Sequence, residues 1–334
     1  MGCSLIRKST LCGFAMCIFL INGCVESSVE EGQEARMNEH IEESTSPYND
    51  NTAVHRIAKL TKAAETVAEI IGTDLEFEPD IVEADWSGYF DGMNGCAVLY
   101  DADKMQYTIY QEELVLMERS PCSTFKIISS LIALENGIIQ PDHSLRAWSG
   151  EVFWNEKWNQ DIDFSGAFRE SCVWYYREVI NEIGPELMQK ELNRLRYGNC
   201  DISDWEGRLN TNNNNRALTG FWIESSLKIS PKAQTEVMER IFGEQSDYSE
   251  ETIDELKKVM LLTEQEQGDT LIYGKTGMGK AQGVVMDAWF TGFAERGQDK
   301  VYFCVYLGQT DDKNVSSAVA KEIAIQIVSD YCNR

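Results

Sequence analysis

The chain has 334 residues, and its 8 Trp, 13 Tyr and 13 Phe are enough to fill one large core or two domains. A formal net charge of −25 argues against nucleic acid as a partner and against adhesion to anionic lipid. Any anionic ligand would have to be held by local cations.

In chain order, Arg7 and Lys8 precede an apolar run from Leu11 to Ile21 that is too short for a comfortable membrane span. The run ends Leu20-Ile-Asn-Gly-Cys24, which resembles the lipobox of bacterial lipoproteins. That resemblance implies removal of residues 1–23, lipid on Cys24, and anchoring on the outer side of the cytoplasmic membrane. An uncleaved anchor and an ordinary secretory cleavage are the alternatives, and all three export the chain. Residues 24–80 read as an acidic tether followed by a short amphipathic helix. The tether is rich in Ser, Glu and Asn, and the helix carries Ile57, Leu60, Ala64, Val67 and Ile71 at helical spacing. Residues 81–334 read as the folded domain. Its six cysteines, Cys96, Cys122, Cys172, Cys200, Cys304 and Cys332, show no C-x-x-C spacing, so a zinc site is not expected. No cofactor is expected either.

Within that domain, Cys96–Tyr100 and Tyr107–Tyr110 flank Asp101-Ala-Asp-Lys104, a hairpin signal. Pro121 to Gly137 reads as a helix with a wide apolar face, opened by Pro121 and Ser123 and stopped at Gly137. A helical region follows, interrupted by the Asn-rich stretch Leu209–Asn215. Strand character returns in Thr270–Lys275, Val284–Ala294 and Val301–Leu307, and a last helix carries Val315, Val319, Ile323 and Ile327. Two strands, a helical insert, three strands and a helix describe an α+β fold. Its antiparallel sheet would be completed by distant parts of the chain and flanked by helices, with an inserted helical lobe.

Ser123 and Lys126 lie three apart, on one face of the first helical turn. That face runs into Ile127, Ile128 and Leu131, so the amine is pushed toward a dry core. Burial and the positive end of the helix dipole both disfavour its charge. A lysine that loses its proton in this way can act as a base toward a neighbouring serine. Alone, the four residues prove nothing, since an N-cap serine and a solvated lysine fit them equally. Four further elements add weight: Ser171-Cys-Val173 in an apolar-aromatic helix, the turn Tyr197-Gly-Asn199, Phe221-Trp222, and Lys275-Thr-Gly277 at the end of a strand.

The set S-x-x-K, S-x-V, Y-G-N, F-W and K-T-G, with Ser-Thr-Phe-Lys spelled out, resembles the class D serine β-lactamases, the oxacillinase type. The likeness runs from about Trp86 to Val328 and includes Ala288-Trp-Phe-Thr-Gly-Phe-Ala-Glu295. It implies the serine β-lactamase and penicillin-binding transpeptidase-like fold, and hydrolysis of β-lactam antibiotics. In this reading Ser123 forms the acyl-enzyme, and Lys126, carboxylated by carbon dioxide, is the general base. Trp222 holds the carbamate, Ser171 relays a proton to the leaving nitrogen, and Lys275 assists that transfer. Thr276, Gly277, Met278, Val173 and Tyr197 bind substrate, with the backbone N–H groups of Ser123 and Met278 as the oxyanion hole. The sequence departs from the family pattern in two places: many members carry an arginine in the last helix that clamps the substrate carboxylate, where Ala320 stands here beside Lys321, and the Tyr197-to-Trp222 interval is enlarged by the Asn-rich loop.

Two other readings share these motifs. One is the sensor domain of a β-lactam-inducible receptor, which stays acylated. The other is a penicillin-binding transpeptidase or carboxypeptidase. Such receptors carry several membrane helices and an H-E-x-x-H protease, neither of which is found in this sequence.

Overall fold

The computed structural model describes residues 78–209, 215–262, 269–281 and 283–333. The signal segment, Cys24, the tether, the helix expected near residues 53–71 and part of the Asn-rich stretch lie outside the described residues.

The sheet is built from both ends of the domain. Strand β1 (Asp80–Glu83) is followed by a single helical turn, α1 (Ser87–Phe90), then by β2 (Gly95–Asp101) and β3 (Gln106–Tyr110). The last two form the expected hairpin, registering Asp101 with Gln106 and Leu99 with Thr108. A short helix α2 (Glu112–Leu116) leads toward the 3₁₀ turn Cys122–Phe125, which runs without a cap into α3 (Lys126–Glu135). After α4 (Phe164–Arg169) comes α5 (Val173–Leu195). It is two helices end to end: Gly184 has φ 73° and ψ 163°, and Pro185 opens the second half, a position where its missing N–H has no intrahelical partner to lose.

Helices α6 (Pro231–Phe242) and α7 (Glu250–Met260) start where the sequence supplies Ser230 and Ser249, whose hydroxyls accept from Ala233 N and Thr252 N. Strands β4 (Thr270–Ala281), β5 (Val284–Arg296) and β6 (Asp299–Gly308) follow, and α8 (Ser317–Cys332) closes the fold. Sheet order is β1-β3-β2-β6-β5-β4.

Two features depart from expectation. The sheet is mixed, because β1 runs parallel to β3 at one edge, while the other five strands are antiparallel as expected. All four residues of β1 are exposed, so it has no alternating apolar signature by which to be recognised. The K-T-G segment does not end its strand: β4 continues to Ala281, with a register shift between Gly279 and Lys280.

Hydrophobic clusters cover both faces of the sheet, a smaller third one gathering around Val98, Trp289 and Cys304. On one face Ile323, Ile327 and Val328 of α8 pack over Phe290, Phe303 and Val305. On the other, Tyr273, Phe293 and Tyr302 meet the helical lobe, whose centre holds Phe125, Ile128, Tyr176, Ile180 and Trp222. β4 is the edge strand on the side of the 3₁₀ turn, so one row of its backbone groups is left over for the site.

Candidate active site

Ser123 lies in the 3₁₀ turn and Lys126 is the first residue of α3, whose flanks Ile127, Ile128 and Leu131 are buried. The helix therefore carries Lys126 into the core, where it is 1% exposed. Its Nζ donates to Ser123 Oγ at 3.0 Å. Burial pushes the amine down to about 8, while the nearby Cys172 and Cys122 pull weakly the other way. The Tyr176 ring, 5.2 Å from Nζ, offers a polarizable surface to any charge that remains.

Lys275, on β4, is 5% exposed. Its Nζ donates to Ser171 Oγ at 3.1 Å and to the carbonyl and hydroxyl of Thr276 at 3.0 and 3.4 Å. Burial holds its amine well below the ordinary lysine value, and the charge of Lys126 adds to the effect.

Ser171 is not inside a helix. It sits between α4 and α5 with φ 55°, and Cys172 N closes on Ala167 O at 2.8 Å. This left-handed break lies beside the long helix and turns the hydroxyl toward Lys275. Cys122 (φ 50°) and Glu224 (φ 50°) adopt the same region without being glycine. Strain of this kind, about 1–3 kcal/mol per residue, concentrates where surrounding structure enforces a working geometry.

Trp222 is fully buried and tied to the nucleophile's turn through its own carbonyl, which accepts from Cys122 N and from Ser120 Oγ, both at 3.0 Å. Phe125 and Phe221 pack on its ring. Gly277 is buried because β4 passes close to the turn: a Cβ there would lie 2.9 Å from both Pro121 O and Thr124 Cγ2. Thr276 and Val173 are half-buried, and Met278 is exposed on the open edge of β4.

The structure thus brings Ser123, Lys126, Ser171, Lys275 and Trp222 together and places Thr276, Gly277, Met278 and Val173 around them. Tyr197 is the exception. It is fully buried, with its ring edge-on to Phe125 at 5.5 Å, so it stands behind the nucleophile's turn and cannot touch substrate. Ala320 is buried in the core under α8, and its methyl supplies no cation. His143, the only histidine among the described residues, is exposed. The six cysteines are free thiols. Among the described residues no cluster of His, Cys, Asp or Glu could hold a metal ion.

Sequence reasoning overlooked Tyr176 and Phe168, whose rings face the two amines. The run Trp174-Tyr-Tyr176 carried a faint signal, since three adjacent aromatics cannot all serve one helix face. It also passed over Ser120 and Glu224, polar residues beside the motif residues.

Chemically, this is a site for acyl transfer at a serine, with buried amines standing where other serine hydrolases place histidine. The penicillin-binding protein transpeptidase domain family matches residues 95–329. The regulatory protein BlaR1 of Bacillus licheniformis is 29% identical over 259 residues, covering 77% of this chain and 39% of BlaR1. The chain thus spans about two fifths of the length of that relative. The probable β-lactamase YbxI of Bacillus subtilis is 31% identical over 243 residues, covering 72% of this chain and 82% of YbxI. A solved class D β-lactamase from Bacillus subtilis superposes with a TM-score of 0.62 at 30% identity, covering 74% of this chain and 95% of that one. The chain belongs to the penicillin-binding protein transpeptidase-domain family and, within it, to the class D β-lactamases.

Proposed function

We propose that the protein hydrolyses β-lactam antibiotics through an acyl-enzyme on Ser123. The observation that carries this reading is the Lys126 amine, buried and 3.0 Å from Ser123 Oγ.

The pocket suits carboxylation of that amine. Only a neutral amine attacks carbon dioxide, and burial lowers the pH at which Lys126 becomes neutral to about 8. Once carboxylated, Lys126 supplies a general base beside Ser123. In acylation Ser123 Oγ gives its proton to the carboxylated Lys126 and bonds to the lactam carbonyl carbon. The oxyanion that forms is met by backbone N–H groups of Ser123 and Met278; removing one such donor typically costs about 10²–10³ in rate. The C–N bond then breaks, and the nitrogen takes a proton from Ser171 Oγ. Lys275, donating to that oxygen at 3.1 Å, stabilises the alkoxide character it gains and hands it a proton, which it regains from the one Ser123 gave to the base. In deacylation water adds to the ester carbon, the Oγ–C bond breaks, and the proton returns to Ser123. Thr276 and Lys275 are the groups offered to the substrate carboxylate, and Trp222 holds the modified Lys126 in place.

The likeness to BlaR1 supports a second reading, a sensor domain that is acylated and stays so. A penicillin-binding transpeptidase is a third. A time course with a chromogenic cephalosporin separates them. Many turnovers per Ser123 support the hydrolase, whereas one stoichiometric burst refutes it. The Leu20–Cys24 sequence supports attachment to the outer side of the cytoplasmic membrane through lipid on Cys24; failure of the chain to take up labelled palmitate would exclude that.

A further inference from the structure

Three segments that are distant in sequence converge beneath the nucleophile. The first is Ser120–Ser123, the second Trp222–Glu224, and the third the irregular stretch of β4 where the register shifts between Gly279 and Lys280. The first two are joined by Cys122 N and Ser120 Oγ, which donate to Trp222 O, and by Glu224 N, which donates to Ser120 Oγ at 2.8 Å. The third is joined to them through Glu224. Its Oε1 accepts from Lys280 N at 2.6 Å, on the open edge of the sheet. The fit is close: a Cβ on Gly279 would lie 3.1 Å from Cys122 Sγ and 3.5 Å from both Glu224 Oε1 and Asp287 Oδ2. Glu224 reaches this position from a left-handed backbone, φ 50°, that only a constrained non-glycine residue keeps.

We infer that Glu224 is a positioning residue for acyl transfer: its carboxylate latches the irregular stretch of β4 to the turn carrying Ser123 and so fixes where the Met278 N–H points. This rests on the reading that Ser123 is acylated. The physical argument is one of precision. Met278 stands two residues before Lys280 on an edge strand, whose outer side is paired near its start by the Leu261–Tyr273 bridge and further along depends on contacts such as this one. A carboxylate accepting from a backbone N–H makes a strong, charge-assisted bond. Its loss lets the strand relax away from the turn, and a misplacement of about 1 Å at a reacting centre can cost about 10²-fold in rate. Glu224 itself need not touch substrate.

The test is single-turnover acylation of Ser123 by a chromogenic cephalosporin, with thermal melting and ¹³C detection of the Lys126 carbamate measured alongside. Glu224→Ala should acylate about 10²-fold more slowly while remaining folded and carboxylated. Glu224→Gln, whose amide oxygen still accepts from Lys280 N, should recover most of the rate. Lys280→Pro deletes the donor from the other side and should slow acylation comparably, and the double variant should be no slower than either alone. Should Glu224→Ala fail to fold, Lys280→Pro carries the test. The inference is overturned if either variant acylates within about twofold of the wild type, if Gln does no better than Ala, or if the loss merely follows the unfolded fraction. A wild-type protein that forms no adduct removes the parent reading as well, whereas normal acylation by both wild type and Glu224→Ala removes this inference alone.

Discussion

Lys126 and Lys275 share one buried site, and the charge on Lys126 lowers the proton affinity of Lys275. Each amine has its own hydroxyl: Lys126 Nζ donates to Ser123 Oγ at 3.0 Å and Lys275 Nζ to Ser171 Oγ at 3.1 Å. Converting Lys126 from a cation to an anionic carbamate would remove that repulsion and replace it with attraction, so that Lys275 can hold its proton for the leaving nitrogen. The two lysines are therefore electrostatically complementary only after modification.

Activity should depend on bicarbonate in a pH-dependent way. Below about 8 the Lys126 amine takes up a proton, and each further unit leaves about tenfold less of the neutral form. In bicarbonate-free buffer, steady-state hydrolysis should fall as the pH is lowered toward mildly acid values and recover when bicarbonate is added. Indifference to bicarbonate across that range would count against a carbamate.

Replacing the amine should stabilise the fold. An unfolded lysine stays protonated up to about 10.4, whereas the buried one lets go near about 8. Between those values the unfolded state binds more protons, so wild-type stability rises with pH. Lys126→Met keeps the shape without the charge. Measured by urea denaturation in buffer free of carbon dioxide, it should be more stable below about pH 8, by up to about 3 kcal/mol. Its advantage should shrink as the pH rises from about 8 and be lost above about 10.4. A variant less stable than wild type at pH 7 would contradict the burial argument.

Trp222→Ala removes a fully buried side chain packed on Phe125 and Phe221. It should lower stability by about 3–5 kcal/mol. If the indole holds the modified lysine, Ser123 should still acylate but deacylate slowly, leaving a covalent adduct visible by intact-protein mass spectrometry. Rapid clearing of the adduct would refute that role.

Gly277→Ala would push a methyl into Pro121 O and Thr124 Cγ2. Neither belongs to a flexible tip, so β4 must move away from the turn. Acylation should slow by about 10²-fold, and the overpacking should lower stability by about 1–3 kcal/mol. An unchanged acylation rate would mean that the strand position is not critical.

Much of this arrangement was legible in the sequence because it rests on periodicity and spacing. The apolar face of α3, the three-residue step from Ser123 to Lys126 and the strand holding Lys275 are all local signals. What stayed hidden depends on backbone conformation and tertiary contact. Ser171 reads as helical because apolar residues surround it, yet its hydroxyl is useful only because the chain turns left-handed there. Tyr197 reads as a cleft residue from its motif, but Phe125 and the turn lie in front of it. The value of Glu224 arises from a β4 amide 56 residues away, a pairing that no local pattern encodes.

Strand β2 lies between β3 and β6, pairing Leu99 with Thr108 on one side and with Phe303 on the other. Its second partner emerges some two hundred residues later in synthesis. Until then the middle of the sheet has a raw edge, and neither the turn carrying Ser123 nor the helical lobe has a finished floor to rest on. Assembly of this domain is therefore dominated by late, long-range pairing, which is slow and prone to misassociation. A ribosome-bound chain lacking its final strand would remain pliable, with neither lysine yet sealed from water.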